Sequence, residues 1–137
     1  MGTRSTIALE YADGTIEQVY CHWDGYFDHN GKILQENYTD PFKLQKLIAG
    51  GDMSTLSEDV EGCEFYTARG EKRVIRRYKD IGKYFTSCQQ EEYDYILRPI
   101  DGKAVWFVRC FVTDDVWMPL AEAVEMEALE HEEGWDD

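Results

Sequence analysis

Two Asp-Gly dipeptides, Asp13-Gly14 and Asp101-Gly102, constrain the fold of this chain more than any other feature. Asp-Gly suits a two-residue type I′ hairpin turn, in which both residues adopt a positive φ. Each dipeptide is flanked by runs rich in β-branched and aromatic residues, which are typical of strands. The sequence therefore predicts two β-hairpins, and a two-residue turn sets the register of each one.

The predicted registers place specific side chains opposite one another. In the first hairpin, the expected pairs are Ile7 with Tyr20, Ser5 with His22, and Arg4 with Trp23. In the second hairpin they are Ile96 with Phe107 and Asp94 with Arg109. One face of the first hairpin is then expected to be half-buried and to carry Ile7, Leu9, Tyr11, Ile16 and Tyr20.

Helix signals lie between and after the hairpins. Asp40 is placed to cap a helix that has Pro41 at its first position and stops at Gly50-Gly51. The segment "HNGKILQENY" predicts a shorter helix, and residues 117–132 predict a C-terminal helix with an apolar stripe of Trp117, Leu120, Val124 and Ala128. With 137 residues, the expectation is a single α+β domain: an antiparallel sheet built from the two hairpins, with helices packed on it.

The charge is strongly asymmetric. The net charge is −14, and residues 114–137 hold ten acidic residues with no Lys or Arg. By contrast, residues 69–83 hold seven basic residues and two acidic ones. An acidic excess argues against direct nucleic-acid binding and favours a partner with a basic surface. The candidate partner-binding residues are Glu122, Glu125, Glu127 and Glu130.

Three interpretations of the acidic segment stay open. It is a solvated tail, which is the usual role of a run of charges. It docks on residues 69–83 of the same chain. Or it mimics the charge of DNA and binds a basic host protein.

Apolar runs and cysteine spacing indicate where the protein is located in the cell. No apolar run approaches the roughly 18 residues that a membrane span needs, and no signal peptide is evident. The four cysteines are widely spaced, without CxxC or zinc-finger spacing, and are expected to be reduced thiols of a cytosolic protein.

The stretch "YCHWDGYFDHNG", residues 20–31, concentrates potential chemistry. His22, Asp24, Asp28 and His29 could supply metal ligands, but a metal site is not expected, because the spacing fails a calcium loop and nothing in the sequence makes three zinc ligands converge. Catalysis would pair His22 as a base with Ser5 or Cys21 as a nucleophile, but no known nucleophile motif surrounds them. No catalytic residue and no cofactor is therefore assigned. The alternative is that the stretch is a structural corner, with Asp24 and Gly25 forming a turn.

Several blocks resemble a family of small, uncharacterised phage and prophage proteins. The blocks are "TRSTIA", "VYCHWDGY", "GKIL" and "GDMSTL", with "FYTARGE" as a later one. The resemblance covers roughly the first half of the chain and carries over no catalytic residues. It implies a phage accessory protein made in the cytoplasm of a bacterial host, where such proteins often act on host machinery or host defences.

Two functions follow as hypotheses. The first is a non-enzymatic accessory protein that inhibits or sequesters a host defence or regulatory factor. The second is a domain that binds a nucleotide or small phosphate ligand, as a sponge or a phosphoester enzyme, using His22, Asp24 and Arg69. Stacking faces, hydrogen-bonding groups and cationic groups make up the full set of ligand-binding candidates: Arg4, Ser5, His22, Trp23, Asp24, Tyr26, Arg69 and Glu71.

Overall fold

A computed structural model describes residues 2–134, and within the last helix it describes the side chains as far as residue 129. The described residues form a sheet with the strand order β4-β3-β2-β1-β6-β7-β8, and β5 also pairs with β2. The strands are β1 Ser5–Glu10, β2 Ile16–Cys21, β3 Met53–Thr55, β4 Glu64–Phe65, β5 Arg76–Tyr78, β6 Tyr93–Ile100, β7 Lys103–Cys110 and β8 Met118–Pro119. The α-helices are α1 Lys32–Asn37, α2 Pro41–Ala49, α3 Ile81–Ser87 and α4 Leu120–Gly134.

The sheet is mixed, so the prediction of a purely antiparallel sheet is wrong. β1 runs parallel to β6, and β2 runs parallel to β3. The α+β class is confirmed, since helices pack on a sheet that keeps its two antiparallel pairs β1–β2 and β6–β7. The central β1–β6 pair joins the two hairpins side by side, which neither turn signal specifies.

The register predicted for the first hairpin is wrong by one residue. Ser5 pairs with Cys21 and Ile7 with Val19, because three residues separate Tyr11 from Thr15 at the turn. Within this turn Gly14 takes a φ of 92°, while the Asp13 carboxylate accepts hydrogen bonds from the backbone N–H and the hydroxyl of Thr15. A one-residue shift moves side chains to the opposite face, so the expected half-buried face is replaced by Ile7, Leu9, Val19 and Cys21 on one side.

The register predicted for the second hairpin is confirmed. Ile96 pairs with Phe107, and Asp94 pairs with Arg109. Asp101 and Gly102 both have positive φ, at 50° and 79°, as a two-residue type I′ turn requires. Here the same dipeptide forms a tighter turn than in the first hairpin.

Both faces of the sheet are covered. One face packs against α1, α2 and α4, which bury Leu34, Leu47 and Leu120 among the strands. The other face packs against α3, which buries Tyr84 beside Ile96 of β6. The two faces therefore form separate cores, and the larger one lies beneath α1, α2 and α4.

The helix that begins at Pro41 is confirmed, with the Asp40 carboxylate accepting from the backbone N–H of Phe42. α3 is a helix that the sequence patterns did not indicate, although Asp80 caps it through the backbone N–H of Lys83. The C-terminal helix begins at Leu120 rather than near residue 117. Trp117 lies before it and stacks on Phe85, with ring centroids 5.3 Å apart. Its predicted place on the helix stripe is therefore wrong.

The basic segment, residues 69–83, pairs with acids from several elements. Arg76 forms a two-pronged ion pair with Asp52, whose carboxylate also accepts from the backbone N–H of Tyr20. Arg77 pairs with Glu17 of β2. Asp52 thus provides a hydrogen-bond acceptor for Tyr20, which lies between the part of β2 that pairs with β5 and the residue that pairs with β3.

Candidate functional site

The dense stretch, residues 20–31, forms a hydrogen-bonded corner between β2 and α1. The buried amide of Asn30 donates to the Ser5 hydroxyl at 3.2 Å and to the Trp23 carbonyl at 3.2 Å, and it lies 3.4 Å from the Cys21 sulfur. The Tyr95 hydroxyl donates to the Gly25 carbonyl at 2.6 Å. The Asn30 and Tyr95 side chains therefore fix the backbone conformation of this corner through hydrogen bonds.

Gly25 is a position where a side chain does not fit. A Cβ atom there would lie 2.8 Å from the Ser5 Cβ and 2.9 Å from the Thr3 carbonyl oxygen. Asp24 precedes it with a φ of 60°, in the left-handed region that Asp tolerates better than most residues. The Asp-Gly pair thus lets residues 2–4 pack closely on the corner.

Ser5 and His22 belong to opposite faces, which overturns their expected pairing. Ser5 is fully buried and pairs with Cys21. His22 instead shares a face with Tyr20, whose hydroxyl lies 2.7 Å from the His22 Nδ1 atom. The geometry therefore does not form a Ser-His nucleophile pair.

The other face of the corner carries what we call the Tyr20 patch: Arg4, Tyr20, His22, Trp23 and Tyr66. Burial raises the pKa of the Tyr20 hydroxyl, the charge of the nearby Arg4 acts to lower it, and the charge of the nearby Glu91 acts to raise it. Trp23 is 41% exposed and meets the His22 ring edge-on, with centroids 4.7 Å apart. The patch combines a cation, a histidine and an exposed aromatic ring.

Tyr66 is the member of this patch that sequence reasoning missed. It follows β4, and it adds to the electrostatic environment of Tyr20. Arg69 lies over the Tyr66 ring at 5.4 Å and forms an ion pair with Glu64 at 3.6 Å. Arg69 thus lies at the edge of the patch, and the pairing of β3 with both β2 and β4 brings it there.

Three further ligand-binding candidates, Tyr26, Asp24 and Glu71, are not part of the Tyr20 patch and make local hydrogen bonds. The Tyr26 hydroxyl donates to the Asp24 carboxylate over 3.4 Å at an exposed position. The Glu71 backbone N–H donates to the Tyr66 carbonyl, and its side chain is exposed. Among residues whose side chains are described, no group of three His, Cys, Asp or Glu side chains is arranged to hold a metal ion.

A second surface lies along α4. The sheet-facing stripe of this helix carries Leu120 and Ala123, both fully buried. The solvent-facing stripe has the helical spacing i, i+3, i+4 and i+7 and consists of Glu122, Glu125, Met126 and Leu129. Together with Met118 of β8, these four side chains line a groove of about 300 Å³, which we call the α4 groove.

The predicted acidic residues divide between the two sides of the helix. Glu122 and Glu125 border the α4 groove and are exposed. Glu127 is half-buried on the other side, near Tyr93, whose pKa is raised by burial and further by the charge of Glu127. The side chain of Glu130 lies outside the described residues. The sequence analysis identified Glu122 and Glu125 but not Met118, Met126 and Leu129, the apolar residues that line the same groove.

The loop before α4 adds exposed apolar side chains to this end of the molecule. Phe111 is 69% exposed and Val116 is 59% exposed. Between them, Asp114 and Asp115 both have positive φ, at 54° and 61°. Consecutive left-handed residues other than glycine are strained, and such strain clusters at functional sites. Arg109 holds this loop by an ion pair with Asp115 at 2.9 Å.

A larger groove, about 500 Å³, runs along the turn of the first hairpin and includes Tyr11, Glu17 and Arg77. These three side chains bond to one another. The Tyr11 hydroxyl donates to Glu17 at 2.6 Å, and the Arg77 guanidinium donates to the same carboxylate at 2.8 Å. These mutual bonds make it a weaker binding candidate than the α4 groove.

The four cysteines are buried and unpaired. Burial raises the pKa of the Cys21 and Cys88 thiols to about 11. Because the folded-state pKa lies above the unfolded value, these thiols support folding at neutral pH, and that contribution is lost as the pH rises through about 11.

We expect the native Cys21 and Cys88 thiols to react with iodoacetamide at pH 8 ~100-fold more slowly than the same thiols in guanidinium chloride, since the thiolate is the reacting form. Mass spectrometry of alkylated peptides measures each site. One fast-reacting cysteine in the native protein would contradict a purely structural role for that thiol.

Two further findings bear on the kind of protein this is. None of the helices in residues 2–134 has the length and apolar character that crossing a membrane requires. Comparison of the chain with protein-family models, with curated proteins and with solved structures found no match.

Proposed function

We propose that this chain is a phage accessory protein that acts by binding, without catalysis, and that inhibits or sequesters a basic host protein of a defence or regulatory system. The phage origin and the host cytoplasm rest on the sequence resemblance. The observation that supports binding is the α4 groove, where Met126 and Leu129 remain 38% and 49% exposed on the same stripe as Glu122 and Glu125.

Exposed apolar side chains bordered by polar groups are typical of protein-binding surfaces. Carboxylates at the border attract a basic partner and raise its association rate. The exposed Phe111 and Val116 lie on the loop that precedes α4, outside the residues that line the groove. Charge mimicry of DNA would need acids over a broad face, whereas Glu122 and Glu125 border an apolar groove.

Substitutions in the groove should reduce partner capture. In pull-downs from host lysate, Met126→Gln with Leu129→Gln should lower the recovered partner about 10-fold or more, because buried apolar contacts contribute the most to affinity. Glu122→Gln with Glu125→Gln should lower it a few-fold, since exposed charge pairs contribute ~0.2–1 kcal/mol each. Quantitative mass spectrometry of the captured proteins provides the measurement.

The matched control is Glu58→Gln with Glu61→Gln, which removes the same charge from an exposed site elsewhere. This variant should capture the partner as the unmodified protein does. If the groove variants also retain full capture, the α4 groove is not the binding surface.

A second candidate function is the binding of a nucleotide-like or phosphate ligand at the Tyr20 patch. The Arg4 guanidinium beside the Tyr20 hydroxyl and the exposed Trp23 ring supports it. Mass spectrometry of small molecules released from the purified protein tests this candidate. A bound nucleotide that is lost on Trp23→Ala would favour it over protein binding through α4.

A further inference from the structure

The shape and the lining of the α4 groove favour a helix of the partner over an extended strand. We propose that it binds a basic amphipathic α-helix of the partner, an inference that rests on the proposed function and specifies the partner of the same site. The recognised element would place aliphatic side chains on Met126 and Leu129 and Lys or Arg side chains beside Glu122 and Glu125.

The spacing of the groove residues suits a helix. Glu122, Glu125, Met126 and Leu129 form a ridge about 10.5 Å long on one side of α4. Ridges of this kind pack into the grooves between the side chains of a second helix. An apolar stripe that repeats at i, i+3, i+4 and i+7 is the partner surface that matches such a ridge.

The other side of the groove disfavours an added strand. β8 is the last strand of the sheet order and consists of only Met118 and Pro119. Proline has no backbone N–H, so this short edge cannot donate a ladder of hydrogen bonds to an incoming extended peptide. The groove therefore offers side-chain contacts rather than backbone pairing.

The chemistry of the lining suits an aliphatic and basic helix. Met118 and Met126 are unbranched and adapt their shape to the side chains that they contact. Glu122 and Glu125 lie on the same stripe one turn apart, so one cation on the partner can reach both. The net charge of −14 speeds the approach of any cationic segment, and the apolar floor of the groove selects the amphipathic one.

The test uses the full chain and two fluorescein-labelled peptides of about 14 residues, roughly four helical turns. Both contain the same numbers of Leu and Lys. One arranges Leu at i, i+3, i+4 and i+7, and its isomer alternates Leu with Lys to give a strand period. Fluorescence anisotropy measures Kd for each peptide at two salt concentrations.

We expect the helical peptide to bind at least 10-fold more tightly than its isomer. Met126→Gln with Leu129→Gln should abolish that preference, and Glu122→Gln with Glu125→Gln should weaken binding and its salt dependence. The control Glu58→Gln with Glu61→Gln should change Kd less than 2-fold.

Equal binding of the two peptides, or tighter binding of the alternating isomer, would overturn the helix proposal even if lysate capture depends on the groove. An equal loss of affinity in the control variant would also overturn it, because that result indicates general charge attraction. If the helical preference holds but lysate capture ignores the groove, the proposed function fails and the helix chemistry stands.

Discussion

Replacing Arg109 with methionine should lower the free energy of unfolding by about 3–5 kcal/mol, because it leaves a buried carboxylate without its cation. Asp94 is fully buried, and its carboxylate accepts from the Arg109 guanidinium, the Thr6 hydroxyl and the backbone N–H of Glu91. Arg109 is itself only 8% exposed. Chemical denaturation monitored by tryptophan fluorescence measures the loss.

The free energy of unfolding lost in Arg109→Met should depend on pH. Burial raises the pKa of Asp94, although bonds from Thr6 and Arg109 act to lower it. Ionisation of this carboxyl therefore opposes folding, and its contribution to stability falls as the pH rises through its pKa. Without Arg109 that penalty grows, so the gap between the variant and the unmodified protein should narrow as the pH falls through the pKa of Asp94.

Two controls separate burial from charge. Arg77→Met breaks an ion pair with Glu17 in which Arg77 is largely exposed, and it should cost under about 1 kcal/mol. Asp94→Asn combined with Arg109→Met should be less destabilising than the sum of the two single changes, since the uncompensated charge is gone. A loss at Arg109 no larger than the loss at Arg77 would contradict the importance of the buried pair.

Deleting residues 117–137 should cost several kcal/mol, whereas deleting residues 130–137 should leave stability nearly unchanged. The longer deletion removes Trp117, whose ring packs at an angle against Tyr84 and Phe85, and the fully buried Leu120. Each large buried apolar side chain stabilises by roughly 1.5–3 kcal/mol. The shorter deletion keeps the buried Leu120 and Ala123 of α4. Thermal unfolding compares the two chains.

A single substitution refines this test. Leu120→Ala keeps the acidic segment intact and should cost about 2–5 kcal/mol through the cavity that it leaves. If the shorter deletion proved as destabilising as Leu120→Ala, the acidic end would contribute to the fold and not only to binding.

The two Asp-Gly turns show how far local sequence determines a hairpin. At Asp101-Gly102 both residues accept a positive φ, and the register follows from the dipeptide alone. At Asp13-Gly14 the next residue is Thr15, whose N–H and hydroxyl both bond to the Asp13 carboxylate. This local bonding accompanies a three-residue loop, and the register shifts by one.

Pairings between distant segments were beyond prediction from one sequence. Strand propensity does not say which edge joins which, so the parallel pairing of β1 with β6 was missed. α3 carried readable signals in Asp80 and in the i, i+3, i+4 spacing of Ile81, Tyr84 and Phe85, but its seven residues make only about two turns, which is short for a helix pattern.

The candidate sites also combine residues that the sequence indicates with residues that only the fold brings together. The acids of the C-terminal segment were visible in the sequence, yet the apolar groove depends on Met118, which β7 brings beside α4. Likewise His22 and Trp23 were visible, while Tyr66 comes near Tyr20 only because β4 pairs with β3 and β3 pairs with β2. The expected Ser5–His22 pair failed because a one-residue register shift reverses faces.

The parallel contact between β1 and β6 also affects synthesis of the chain. Thr6 and Asp94 are bonded neighbours, although 88 positions separate them. At roughly 5–20 residues per second, a ribosome needs ~4–18 s to make that interval. During this time the N-terminal hairpin has left the exit tunnel with one edge unpaired, and open edges attract other strands. Chaperone binding to the nascent chain should therefore be strongest before residue 100 emerges.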